Sequence, residues 1–333
     1  MKKPILCIIF VIMIVACSFS SHQGSSDATP ESCTIFTASF GDTVLFGNNE
    51  DYFNPNTYYW ISPSRLLFYG VVCVGYDNFS PQGGINEKGL AFDYNAVPKT
   101  PLNPHPDLLP LSGNPGSMFL RECTTVEEVI DMAKSYNWGT SLSYQIHLAD
   151  ATGDAVVISA GPDGELAFTR KEKGNGYLVS TNFNLAFHQE DKREGLCRRY
   201  DTAVSMLEKI EDEDDLTVEY FASILDAVHA ESSSSNTLYS NVFDLKNGLI
   251  YLYYWHQFDE VVTLSVAEEV ARNPSPTRIE DLFLPEPTEE ASSEYQEEQT
   301  KAEDGGVCLG TTLVIAMMIG CLLLHTKSKS ISF

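Results

Sequence analysis

Cys33 opens the first strand-like run of the chain, directly after a leader from Ser21 to Ser32 that has no apolar pattern of its own. A cut between Ser32 and Cys33 would place a thiol and a free α-amine on one residue. An α-amine has an unperturbed pKa near ~8, so around neutral pH it can take the thiol proton and return one to a leaving group. Such a catalyst needs no distant histidine. The plainer reading of a cysteine that opens a strand is a small buried apolar residue.

Other hydrolytic chemistries lack their residues. The chain has no Gly-x-Ser-x-Gly elbow, no His-Glu-x-x-His and no phosphate-binding glycine loop, and its seven histidines are scattered. Of eight cysteines, Cys7 and Cys17 lie in the first apolar segment and Cys308 and Cys321 in the last. That leaves Cys33, Cys73, Cys123 and Cys197, which have no Cys-x-x-Cys or Cys/His spacing and so no metal signature. Nothing selects a disulfide pairing among them. Neither a metal nor a cofactor is expected.

The elements that would position Cys33 are short β-type runs separated by turns: Thr34–Ser39, Thr43–Phe46, Leu66–Tyr76, Gly89–Tyr94, Tyr144–Leu148 and Ala155–Ser159. Gly161-Pro162-Asp163-Gly164 and Lys246-Asn247-Gly248 read as hairpin turns, because glycine tolerates the positive φ that tight turns need. Three helical stripes interrupt the strands. Thr125 and Glu128 have capping-box spacing ahead of Val126, Val129, Ile130 and Ala133; Tyr200 to Ile210 and Val218 to Val228 repeat at helical period. Single-striped helices with hairpins imply an α+β body in which helices cover antiparallel sheets.

Both ends read as lying outside that body. Met1-Lys2-Lys3 and the apolar run from Ile5 to Ala16 have the form of an export signal over residues 1–20, followed by a leader over 21–32. Ile14-Val15-Ala16-Cys17 also has the form of a lipoprotein signal, in which Cys17 would be acylated. Residues 276–304 read as an acidic stalk, and 305–324 contain no charge and are long enough to cross a bilayer. The basic tail, 325–333, favours the cytoplasmic side, so the expectation is a single-pass membrane protein with its body, residues 33–275, outside the cell. Within 333 residues, 43% are hydrophobic and the formal charge is −25. A disordered chain and a nucleic-acid partner are both excluded on that basis.

Five motifs fall in order along the body. They are Cys33-Thr34; Phe46-Gly47-Asn48-Asn49-Glu50-Asp51-Tyr52; Gly84-Ile85-Asn86-Glu87-Lys88-Gly89-Leu90 leading to Tyr94-Asn95; Ser180-Thr181-Asn182; and Arg198-Arg199-Tyr200. Together they resemble the choloylglycine hydrolase and penicillin V acylase group, and equally its relatives, the acyl-CoA:6-aminopenicillanate acyltransferases and N-acylethanolamine acid amidases. The resemblance implies an N-terminal nucleophile hydrolase with a four-layer αββα sandwich of antiparallel sheets. It also implies a self-released nucleophile at Cys33, with Asp51 orienting its α-amine. The side-chain amide of Asn182 and the backbone N–H of Asn95 would form an oxyanion hole, and Arg199, rather than Arg198, would add positive potential near the thiolate. Read without the resemblance, Asp51 and Asn95 suit turns, Asn182 a strand-end cap and Arg199 a solvated helix face.

One position departs from the family pattern. Asn48 stands where the group has arginine, so thiolate stabilisation would fall to Arg199, and recognition of an anionic substrate group through Asn48 is put in doubt. Gly84–Leu90 reads as a strand connection. Tyr58, Tyr59, Trp60, Phe68 and Tyr69, with Tyr251, Tyr253, Tyr254 and Trp255, suit either sheet core or an acyl pocket. The expected function is cleavage of a small-molecule N-acyl amide through an acyl-cysteine intermediate, with an acyltransferase, a cysteine peptidase and an inactive binding module as rivals.

Overall fold

A computed structural model describes residues 33–232 and 235–284. The expected signal, leader, most of the stalk, the apolar span and the tail lie outside the described residues. Among the described residues no helix is long and apolar enough to cross a membrane.

The chain begins with a hairpin of β1 (Thr34–Phe40) and β2 (Thr43–Tyr52). It continues through β3 (Thr57–Ser62), β4 (Val71–Tyr76), β5 (Pro81–Asn86), β6 (Ala91–Pro101) and the two-residue β7 (Leu109–Pro110). Helices α1 (Pro115–Glu122) and α2 (Val126–Lys134) follow, then the short β8 (Tyr136–Asn137). Next come β9 (Ser141–Ala149), β10 (Ala155–Ala160), β11 (Leu166–Lys171) and β12 (Gly176–Ser180). Helices α3 (Arg198–Leu207) and α4 (Val218–Val228) precede β13 (Asn236–Asp244), β14 (Leu249–Tyr254) and β15 (Gln257–Ser265). Helix α5 (Val266–Arg272) and β16 (Thr277–Arg278) close the fold. The folded unit therefore runs past the expected boundary at 275: Arg278 pairs with Tyr58, and Ile279 is fully buried.

Two antiparallel sheets face each other. The first has the order β12-β1-β2-β13-β14-β15 and the second β11-β10-β9-β6-β5-β4-β3-β16. Helices α3 and α4 pack on the outer face of the first sheet and α1 on the outer face of the second, where the buried stripe of α2 joins the same apolar cluster. This is the expected α+β arrangement. Because each sheet is covered on both sides, its central strands are buried throughout rather than alternately. Leu45 to Asp51 of β2 and all of β4 and β10 show it. Phe36 meets Phe221 of α4 at 4.8 Å between ring centroids, and Phe46 meets His147 of β9 edge-on at 5.4 Å. Alternate positions along each strand of the hairpin thus serve different layers.

His147 fixes the two sheets to each other. One ring nitrogen lies 3.0 Å from Thr37 Oγ1 and the other 2.8 Å from Ser180 Oγ. Burial pushes its pKa down to about 3, so the ring is neutral and serves as structure.

The expected capping box is present: Thr125 Oγ1 accepts from the N–H of Glu128, whose carboxylate accepts from that of Thr125. The run predicted over Leu66–Tyr76 is shorter. Arg65 and Phe68 bridge in a tight turn, Leu66 is 98% exposed, and the strand starts at Val71. All four cysteines of the body are free thiols.

Asn86 ties the connection after β5 to the end of α1. Its Nδ2 donates to the carbonyls of Leu120 and Cys123, while its Oδ1 accepts from the N–H groups of Lys88 and Leu90. Substituting Asn86 by Ala orphans helix-end carbonyls that have no intrahelical partner. The expected loss is about 3 kcal/mol in chemical unfolding, and a change under ~1 kcal/mol would contradict it.

Candidate active site

The β1–β2 register builds the site. Thr34 pairs with Asn49 and Phe40 with Thr43, so one further step places Cys33 opposite Glu50. Side chains alternate across a strand. Cys33 and Glu50 accordingly point between the sheets, as Thr37 and Phe46 do, whereas Thr34 and Asp51 point toward the helices.

Between the sheets, Cys33 Sγ donates to Glu50 Oε2 at 3.4 Å, and Tyr76 Oη donates to Glu50 Oε1 at 2.5 Å. Burial raises the Cys33 thiol well above its ordinary pKa, with the charges of Glu50, Asp93 and Asp51 adding to the rise; the Asp51 backbone N–H acts the other way. Burial likewise pushes Glu50 up to about 7, against the pull of hydrogen bonds from Tyr76 and Cys33. Asp93 is buried nearby and also raised, first by burial and then by the charge of Glu50. Gly83 makes room for it: a Cβ there would sit 2.1 Å from Asp93 Oδ2.

On the helix side, α3 contributes Arg199. Its guanidinium donates to Thr34 Oγ1 at 2.8 Å, Asp51 Oδ2 at 3.2 Å and Asn182 Oδ1 at 2.6 Å. The other Asp51 oxygen accepts from Thr237 Oγ1 at 2.5 Å. Arg198, one residue earlier, is exposed, so the helix phase selects Arg199. Asn182 Nδ2 donates to the carbonyl of Ala96. Asn95 Nδ2 donates to the carbonyl of Cys33 at 2.9 Å, and Gln145 links Asn95 Oδ1 to the carbonyls of Thr181 and Phe183. Cys33, Asp51, Asn182 and Arg199 thus form one hydrogen-bonded neighbourhood with Asn95 from the second sheet.

A cavity of about 730 Å³ opens over this neighbourhood. Cys33, Glu50 and Asp51 line it with Tyr52, Tyr76, Asp77, Tyr94 and Tyr144 among others, and none of its lining residues is Lys, Arg or His. Asn48, Asn95, Asn182 and Arg199 are not part of the lining, and Asn48 is fully buried. The aromatic clusters around Tyr59 and Tyr253 belong to the sheets and do not line the cavity either.

Sequence reasoning missed Glu50, Tyr76, Tyr144 and Gln145. The signal for Glu50 was available in the hairpin register, which pairs it with Cys33. The other three come from strands of the second sheet, whose order no local pattern reveals.

Cys33 has φ 37°, in the left-handed region that a non-glycine residue enters at a cost of ~1–3 kcal/mol. The strain lies at the residue read from the sequence as the candidate nucleophile.

Among known families, the one described as acyl-coenzyme A:6-aminopenicillanic acid acyl-transferase matches residues 39–259. The resemblance read from the five motifs is borne out by that match. Among solved structures, a mutant conjugated bile acid hydrolase from Clostridium perfringens is similar with a TM-score of 0.58 and 17% identity, over 74% of this chain and 96% of that one. A second variant of that hydrolase gives 0.59 and 17%, over 74% and 97%. Penicillin V acylase from Agrobacterium tumefaciens gives 0.53 and 18%, over 67% and 83%. At these identities the likeness is one of fold. Comparison with curated proteins gives no match.

Proposed function

The chain belongs to the acyl-coenzyme A:6-aminopenicillanic acid acyl-transferase family, and on that premise we propose that it cleaves the amide bond of a small N-acyl substrate through Cys33. The observation that carries this reading is the placement of Cys33 Sγ at the head of β1, in the lining of the cavity. In the proposed sequence the thiolate attacks the amide carbonyl, the amine leaves with a proton, and water resolves the acyl-thioester. The released α-amine shuttles protons, oriented by Asp51; the backbone N–H of Asn95 and the amide of Asn182 stabilise the oxyanion. Arg199 holds Asp51 and Asn182 in one frame. In this reading the domain works outside the cell, held by the span at 305–324.

A second reading differs only in the last step. An amine in place of water would make the same thioester an acyl donor, which the family's description favours. Product analysis with and without an added amine acceptor separates the two. Intact mass of the mature protein tests the reading they share, which requires a chain beginning at Cys33.

The cavity also bears on substrate charge. Its carboxylates and tyrosines, without a cationic side chain in the lining, disfavour an anionic amine portion and suit a neutral or cationic one. Between matched N-acyl amides, one of a diamine and one of an amino acid, kcat/KM is expected to favour the diamine by ~10-fold or more. Equal values would contradict this.

A further inference from the structure

We propose that Glu50 is the proton acceptor for the Cys33 thiol in the self-cleavage that frees the α-amine. The proposal rests on the reading of Cys33 as a self-released nucleophile and adds a residue which that reading lacks. Before the cut, the nitrogen of Cys33 is an amide and is not a base at neutral pH. Something else must remove the thiol proton. Glu50 Oε2 already accepts from Sγ at 3.4 Å, and Tyr76 holds the other carboxylate oxygen, which leaves Oε2 directed at the sulfur.

Other candidate bases are placed less well: His147 is bonded to Thr37 and Ser180, Asp51 is engaged by Arg199 on the opposite face of the strand, and Asp93, buried nearby, accepts from the Tyr94 N–H and not from Sγ. The groups that face Cys33 and Glu50 are Tyr76 from β4, Asp93 from β6 and Tyr239 from β13, and Asp51 adds its charge from the other face of β2, so acids and phenols surround them. In that company a buried carboxylate becomes a stronger base than an exposed one. The neutral side chain at Asn48, two residues along the same strand face, is consistent with this role. An arginine there would favour the ionised carboxylate and weaken it as a base.

The step balances without a further reagent besides water. Glu50 takes the Sγ proton, and the thiolate bonds to the carbonyl carbon of Ser32. The Ser32–Cys33 C–N bond breaks, and the departing nitrogen takes the proton back from Glu50, leaving a thioester on Sγ and a free α-amine on Cys33. Water then hydrolyses the thioester. The left-handed φ of Cys33 lies beside the bond that breaks, so cleavage relieves it.

The test follows intact mass against time for full-length chain from cell-free synthesis, from about pH 5.5 to about pH 8.5. Wild-type cleavage is expected to rise through about pH 7, where Glu50 loses its own proton. Glu50→Gln is expected to cleave at least ~100-fold more slowly and to lose that rise, with partial recovery in Glu50→Asp. A Glu50→Gln rate within ~3-fold of wild type, with the same pH profile, overturns the proposal and leaves the nucleophile reading intact. A wild-type chain that never begins at Cys33 overturns both. Should Glu50→Gln fail to fold, Tyr76→Phe decides. Loss of the Tyr76 hydrogen bond is expected to move the pH midpoint upward, and an unmoved midpoint counts against Glu50.

Discussion

Cys33→Ala is expected to abolish amide cleavage, lowering turnover at least ~10³-fold, and to leave the leader attached through Ser32. Both results follow from one atom. In the proposed mechanism the sulfur attacks the substrate carbonyl in the cavity and, before that, the carbonyl of the peptide bond that precedes it. Substitution trims a single buried atom, so folding should be close to unchanged, and circular dichroism should show the same sheet signal. Turnover on a panel of N-acyl amides, read together with intact mass, checks the prediction. Retained turnover with a processed chain would remove Cys33 from the mechanism.

The second large effect concerns stability. Arg199 and Asp51 have side chains 10% and 0% exposed, so each charge depends on the other and on Thr34, Asn182 and Thr237. Arg199→Met leaves the Asp51 carboxylate buried without its cation. The expected cost is ~3–5 kcal/mol in chemical unfolding, because removing one partner of a buried pair leaves an uncompensated charge. Asp51→Asn in the same chain should restore part of that loss, since the orphaned charge is then gone. Arg199→Lys should fall between, because an ammonium cannot reach three acceptors from one planar fork. A loss below ~1 kcal/mol for Arg199→Met would show the pair to be solvent-relaxed.

The sequence made some of this legible and hid the rest for identifiable reasons. The capping box at Thr125 and the stripes of α3 and α4 depend on neighbours within four residues, and they were readable. Helix α1 was missed, although Asn114 and Pro115 are a cap and a first-turn proline, because its apolar stripe is short. The extension of β4 back to Leu66 failed because Leu66 and Leu67 are apolar yet exposed, and apolar character without periodicity does not define a strand. Cys33, Asp51, Asn182 and Arg199 were nameable through motifs in register. Glu50 lay inside one of those motifs, but a polar run such as Asn48-Asn49-Glu50-Asp51 reads as a turn until its strand is known to be buried on both faces. Tyr76, Tyr144 and Gln145 needed the order of the second sheet, which is a long-range property.

The two-residue turn at Gly41 and Asp42 acts as a length standard for the site. Gly41 takes φ 57°, and Glu213 clamps the turn through the N–H of Asp42 and the hydroxyl of Thr43. Seven residues separate the turn from either partner, Cys33 on one side and Glu50 on the other. Inserting one residue into either arm would turn one of the two side chains toward the helices and leave the other between the sheets. Most of the sheet could re-form around such an insertion by absorbing it as a bulge, but the thiol and the carboxylate would no longer meet. Variation in this protein is therefore tolerable in side-chain identity around the cavity long before it is tolerable in the spacing of its first hairpin.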